Sequence, residues 1–355
     1  MFNNINQVTK TNKTKEEYLR RAKNRIKKCL GNRAKEFYGQ DEIVVEIMEF
    51  MKKERKDKMY EQNTWRKQRA EMKHYAEVNG YQNMVQAINK LPRQKIENPK
   101  RKKAKIRTKY KFIPEKIYDE IKRECLKKTT SFATTIINWI DATIITGIRP
   151  MEWISVKMAT QKTTNNGTEY PVLRIKNAKN TNGRTFGEYR HIVLTDINPH
   201  DMKAILHMVE IVKQIRQNNK PEAWEKAWKR VYNQHRKALY KINLKIRPTA
   251  KKVVTIYSAR HQFTADCKAN EVSEFEIAAL MGHGSIDTHA KHYGKKHLGS
   301  KGSFRVNAPK QNIKKLKTAS NLKAVKRKEQ KLDYTKIRVN KAAAQRQDNK
   351  NMEQI

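Results

Sequence analysis

The chain has 355 residues, and 79 Lys and Arg against 35 Asp and Glu give it a formal net charge of +44. That length can bury a sizeable core and is expected to form two or three domains. The charge argues against an ordinary mixed-sign solvated surface and makes nucleic acid the expected partner, bound more weakly as salt rises because each neutralised phosphate releases counterions.

Cys29, Cys125 and Cys267 are isolated and form no C-x-x-C pair. Three such thiols predict a reducing, intracellular compartment and no structural zinc. The first residues, M-F-N-N-I-N-Q, lack the apolar stretch of a secretory signal. The greasiest segment, Phe132 to Ile148, is interrupted by threonines, Asn138 and Asp141, so no membrane span is expected.

From about Thr14 to Leu91 the pattern is helical, with Ile43, Val44, Ile47, Met48 and Met51 at helical spacing. Trp65, Met72 and Tyr75 lie in T-W-R-K-Q-R-A-E-M-K-H-Y, a stretch able to present one apolar and one cationic face. Pro92 and Pro99 bracket the start of a charge run in which Arg93 to Lys111 hold ten Lys or Arg against one acid, Glu97. An extended cationic connection is expected there.

A second domain begins near Ile113. Ile136, Ile137, Ile140, Ile144, Ile145 and Ile148 form a stripe that predicts a buried helix. Gly147 suits its C-terminus and Pro150 the first turn of the next helix, which sets Arg149 on a tight, rigid turn in T-G-I-R-P-M-E. Glu152, three residues on, is placed to fix the Arg149 guanidinium from behind. Val172 to Lys179 and Tyr189 to Leu194 flank the turn T-N-G and predict a hairpin with Lys179 near its tip and Lys176 further back. Helix returns from Asp201 to Tyr240, where Trp224, Trp228 and Tyr232 are spaced as core residues.

Ser273 and Glu276 form a capping box, Gly282 ends the helix that follows, and Ser285 can cap another that carries Tyr293. Residues 301–355 hold 16 Lys or Arg and 4 acids with few large apolar side chains. They are expected to form a flexible basic tail.

The segments T-G-I-R-P-M-E, Y-S-A-R-H-Q-F and L-M-G-H-G-S-I-D-T-H-A-K-H-Y resemble, in order and separation, the two arginine boxes and nucleophile of the tyrosine recombinase (phage integrase) superfamily. The resemblance covers roughly residues 113–298. It implies a chain that is mostly α with a small antiparallel β-sheet: a helical core-binding domain over 1–92, a basic linker over 93–112, a mixed α+β catalytic domain over 113–300 and the tail. The two domains would form a C-shaped clamp on DNA.

The residue chemistry agrees with it. Negative charge grows on the equatorial oxygens of a phosphodiester under attack, and Arg149 and Arg260 are planar, permanently protonated forks suited to those oxygens. His283 can donate a hydrogen bond to the same phosphate. The resemblance makes Tyr293 the nucleophile of a covalent 3′-phosphotyrosyl link and a hairpin lysine the donor to the leaving 5′-oxygen, Lys179 or, in reserve, Lys176. A free phenol costs about 4 kcal/mol to ionise at pH 7, so neighbouring cations and a proton acceptor must lower that cost. The superfamily often has histidine three residues before the second arginine; here Tyr257 stands there, a poor proton acceptor near neutrality, followed by His261 in an R-H pair.

His283, His289, His292 and His297 crowd one segment without a carboxylate or thiolate in a zinc spacing, so neither metal nor other cofactor is expected. The expected function is metal- and ATP-independent site-specific recombination of double-stranded DNA by a homo-oligomer, a tetramer on two sites, with a DNA-bending accessory protein left open. The expected location is cytoplasmic and nucleoid-associated, or inside a host cell for a viral protein. The rivals are a type IB topoisomerase-like enzyme, a DNA-binding protein of the same fold that has lost cutting, and a basic RNA-coating protein.

Overall fold

The computed structural model describes residues 12–58, 60–93, 107–127, 131–162, 169–178, 187–195, 197–284, 294–302 and 306–318. The chain divides into two compact units, Met1–Ala104 and Lys105–Ile355. Among the described residues it is mostly helical with a small antiparallel sheet, and no helix is long and apolar enough to cross a membrane.

The first unit contains α1 (Asn12–Leu30), α2 (Asp41–Lys58), α3 (Gln62–Val78) and α4 (Gln82–Lys90). Val44, Ile47, Met48 and Met51 turn inward to meet Trp65, Met72, Met84 and Ile88, so the apolar spacing in the sequence does mark the buried face. Two acids are also buried. Glu71 receives Arg21 and Arg25 at 3.3 and 3.5 Å, and Glu54 receives Lys28 and Lys58 at 2.5 and 2.6 Å. Burial raises the Glu54 pKa, but the two lysines outweigh it and hold the carboxyl at about 2. Lys23 and Lys27 on α1 and Arg66 and Lys67 on α3 are exposed.

The second unit starts earlier than Ile113. A strand β1 (Thr108–Lys109) runs parallel to Lys252–Val253, and Arg107 Nε donates to the Ala250 carbonyl at 2.9 Å. The end of the cationic run thus belongs to this unit, because its backbone groups find partners more than a hundred residues away. α5 (Glu115–Leu126) and α6 (Ser131–Thr146) follow, and α6 buries Ile136, Trp139 and Ile140, with Ile148 just beyond its end.

Next come β2 (Lys157–Lys162), β3 (Glu169–Lys176) and β4 (Tyr189–Leu194). β3 and β4 are the expected hairpin strands, while β2 is an additional edge strand. The helical stretch after Asp201 is two helices, α7 (Pro199–Gln217) and α8 (Trp224–Ile246), separated around Pro221. Trp228 is fully buried against Trp139, with ring centroids 4.8 Å apart, and Trp224 and Tyr232 pack around the same core.

β5 (Lys252–Val253), α9 (Ile256–Ala269) and α10 (Glu274–Met281) complete the interior. The first part of the basic tail then differs from expectation. β6 (Val306–Asn307) pairs with β4, giving a sheet of order β2-β3-β4-β6, and a helix α11 over 310–318 buries Leu316. Val306, Ala308 and Leu316 supply the apolar contacts, too few and too spaced for composition alone to mark them. Residues 319–355 lie outside the described residues.

Candidate active site

The carboxyl end of α6 sets up the site. Gly147 takes φ +63° at the helix end, and a Cβ there would strike the Phe263 ring. Both constraints favour glycine. Beyond it the chain makes a turn and a short 3-10 segment, Trp153–Ser155, rather than the second full helix expected after Pro150. Trp228 Nε1 donates to the Pro150 carbonyl at 2.7 Å and supports this turn from below.

Glu152 organises what the turn carries. Its Oε1 receives Arg149 Nη1 at 2.5 Å, and its Oε2 receives the Arg149 main-chain N–H at 3.0 Å. The guanidinium is therefore fixed from behind, in the manner expected. A second arginine shares the carboxylate: Arg190 Nη2 donates to Glu152 Oε2 at 2.8 Å. Burial raises the Glu152 pKa, yet Arg190, Arg149 and Arg260 together outweigh it and hold the carboxyl well below the usual range. Three guanidiniums against one carboxylate leave an excess of two positive charges. An anion is the natural complement of such a site.

Arg260 lies on α9, whose start is fixed by a reciprocal cap between Thr255 and Ser258. Its guanidinium donates to the Gly147 carbonyl, to the Met281 carbonyl at 2.8 Å, and lies 3.2 Å from His283 Nε2. His283 follows Gly282, which ends α10 at φ +65°. Ser273 caps α10 by accepting from the Glu276 N–H, but the Glu276 carboxylate accepts from the Ala308 N–H instead of closing the box. Arg149, Glu152, Arg260 and His283 thus meet, brought together from three separate stretches of chain. Arg260 is fully buried and His283 is 2% exposed, whereas the Arg149 side chain keeps 11%, so Arg149 is the most accessible of the three.

The other expected residues stand differently. Lys179 and Tyr293 lie outside the described residues, as do His289 and His292. Lys176 is half exposed, 3.2 Å from Glu188. Tyr257, on the first turn of α9, has Lys109 Nζ 4.2 Å above its ring and meets the His261 ring edge-on at 5.7 Å. Burial first, then Lys109, Lys111 and Arg260, pull the His261 pKa down to about 3. That ring stays neutral at working pH. Among the described residues no group of three His, Cys, Asp or Glu could hold a metal.

Sequence reasoning missed Arg190, Asn177 and Lys109. For Arg190 a signal existed: in Y-R-H-I-V-L the period of two that turns Ile192 and Leu194 inward turns Arg190 inward as well. Lys109 carried none, since only the pairing of β1 with β5 brings it to Tyr257.

The segment after residue 293 is tied to α9. Lys268 Nζ donates to the Gly294 carbonyl at 3.0 Å, Gln262 Nε2 to the Leu298 carbonyl at 3.1 Å, and the Ser300 N–H to Asp266 Oδ1 at 2.8 Å. A Cβ at Gly294 or Gly299 would strike the α9 main chain at His261 or Ala265. The helix that carries Arg260 therefore also fixes the chain just beyond Tyr293. No protein-family profile matches the chain, and comparison with characterised proteins finds no match.

Proposed function

We propose that this chain is a site-specific DNA recombinase of the tyrosine recombinase type. One observation carries the reading: three short motifs supply one cluster, in which Arg149 is held by the buried Glu152 carboxylate, Arg260 adds its charge to the same carboxylate, and His283 lies 3.2 Å from Arg260. A phosphodiester bound there would meet the Arg149 fork first, with Arg260 and His283 behind it. The Tyr293 oxygen forms its bond to phosphorus as the bond to the 5′-oxygen breaks. The phenol gives up its proton to solvent, and the leaving oxygen takes one from a hairpin lysine, Lys179 or Lys176. The link retains the energy of the broken diester, so a free 5′-hydroxyl reverses the step without ATP. Four protomers on two duplexes would exchange strands, and the cations exposed on the first unit would hold flanking DNA.

A duplex nicked beside the scissile phosphate tests the proposal, since the short cut strand diffuses away and traps the adduct. Wild type should become covalently attached to the 3′ end, and Tyr293→Phe should not. Binding by both without attachment would replace the enzyme with a binding protein of the same fold, the rival that Tyr257 favours. Relaxation of supercoils by a monomer, without regard to sequence, would favour a type IB topoisomerase-like enzyme.

A further inference from the structure

Arg190 is the third guanidinium at Glu152, and neither phosphate binding nor attack on phosphorus calls for it. It is fully buried on β4. Its Nε donates to the Leu280 carbonyl at 2.8 Å, its Nη1 to Asn177 Oδ1 at 2.7 Å and its Nη2 to Glu152 Oε2 at 2.8 Å. The three acceptors belong to different pieces: the end of α10 that leads into His283, the base of the β3–β4 hairpin, and the turn that bears Arg149. Asn177 in turn closes the hairpin base. Its N–H donates to the Glu188 carbonyl and its Nδ2 to the Gly187 carbonyl, both at 2.8 Å, while the next N–H, that of Ala178, reaches Glu152 Oε1 at 3.2 Å. Gly282 leaves the space for this junction, because a Cβ there would strike Asn177 Oδ1 and stand 3.0 Å from Arg190 Nη1.

We infer that Arg190 and Asn177 are a positioning pair that locks the hairpin base to the Arg149 turn and so aims the hairpin's lysine at the leaving 5′-oxygen. This rests on the recombinase reading, in which that lysine is Lys179, next to Ala178, or Lys176. The pair itself touches no substrate. Three acceptors set around one rigid planar fork specify direction, which an ammonium on a flexible stem does not. A buried charge is weak evidence for stability alone, since apolar packing often serves as well, so the fork's retention here is ascribed to geometry.

The test separates protonation of the leaving group from every other role. Single-turnover adduct formation is measured on nicked duplexes whose bridging 5′ atom at the scissile phosphate is oxygen or sulfur; a thiolate departs without a proton. Full-length Arg190→Lys and Asn177→Ala are compared with wild type, their folding checked by thermal melting. On the oxygen substrate both should slow roughly a hundredfold, the usual effect of misplacing a catalytic group by about an ångström. On the sulfur substrate both should stay within about threefold of wild type, because the step that needs the acid is gone. Equal slowing on both substrates, or none on either, overturns the inference. Should Arg190→Lys not fold, Asn177→Ala decides alone, since it leaves the Arg190–Glu152 pair in place. A wild type that links to neither substrate sinks the recombinase reading and this inference with it, whereas a linking wild type with unselective variants sinks only the inference.

Discussion

The Arg260 guanidinium donates to the main-chain carbonyl of Gly147, two residues before Arg149, so the two arginines are tied through backbone rather than side chain. Arg260 also holds the Met281 carbonyl and approaches His283, which makes one side chain the joint between the end of α6 and the end of α10. A cation used this way sets the place of its neighbours as well as the field at the phosphate. That double role gives each change at the joint a distinct expected signature.

Arg260→Lys keeps the charge and loses the fork. One ammonium cannot serve the Gly147 and Met281 carbonyls and His283 from the plane a guanidinium offers. Adduct formation on the nicked duplex should fall at least about a hundredfold, the scale for removing a preorganised donor at developing charge. Affinity for the duplex, set by many other cations, should barely change in a gel-shift titration. A lysine variant that cleaves at the wild-type rate would remove Arg260 from the site, as the RNA-coating alternative expects.

Gly147→Ala attacks the same joint through the backbone. The position requires φ +63° and has no room for a methyl beside Phe263. Strain of about 1–3 kcal/mol is expected in denaturant unfolding, and cleavage should drop because the carbonyl that anchors Arg260 must move. Unchanged stability together with unchanged cleavage would show that the turn tolerates another geometry.

Glu152→Gln leaves Arg149 and Arg190 without their shared charge. The residue is 2% exposed, and breaking a buried pair from one side costs about 3–5 kcal/mol. The pH dependence follows from the direction of its shift. The folded carboxyl titrates below its ordinary value of 4.5, so its contribution is complete above that value and is lost only as pH falls through the depressed folded one. The gap in stability between wild type and variant should therefore be flat from about pH 6 to 8 and close in strong acid. A gap that widened toward acid would contradict the ion-pair assignment.

Much of this site was readable from local pattern, and what was not has particular causes. Gly147, Gly282 and Ser273 announce helix ends by chemistry that acts within a turn, and the structure keeps all three. The hairpin strands follow from alternation, but β2 escapes because K-M-A-T-Q-K lies at a sheet edge and has almost no apolar side to alternate. Arg190 looks like a surface residue until Ile192 and Leu194 are counted with it. Thr108 and Val306 are placed by strand pairing with residues 144 and 112 positions away, between Thr108 and Lys252 and between Val306 and Leu194. No window along the chain contains both partners. The helical stretch expected from Asp201 to Tyr240 is interrupted near Asn218, Asn219 and Pro221, a local stop signal that separates it into two helices.

Asp266 offers a test away from the arginines. It accepts from Gln262 and from the Ser300 N–H, yet burial wins and raises its pKa from 3.8 to about 6. A carboxyl raised in the folded state binds its proton more tightly there than in the unfolded chain, so stability falls as pH climbs from about 4 to 6 and then levels. Two units correspond to about 2–3 kcal/mol. His261, held down at about 3, has the opposite slope over much of the same window, since the unfolded chain takes up its proton first. In the wild type the two slopes largely cancel. Asp266→Asn removes one and should expose the other: equal to wild type near pH 4, the variant should gain stability relative to it up to about pH 6 and hold that gain above. Urea midpoints taken across that range check the claim, and a difference independent of pH would show that folding leaves the Asp266 pKa unshifted.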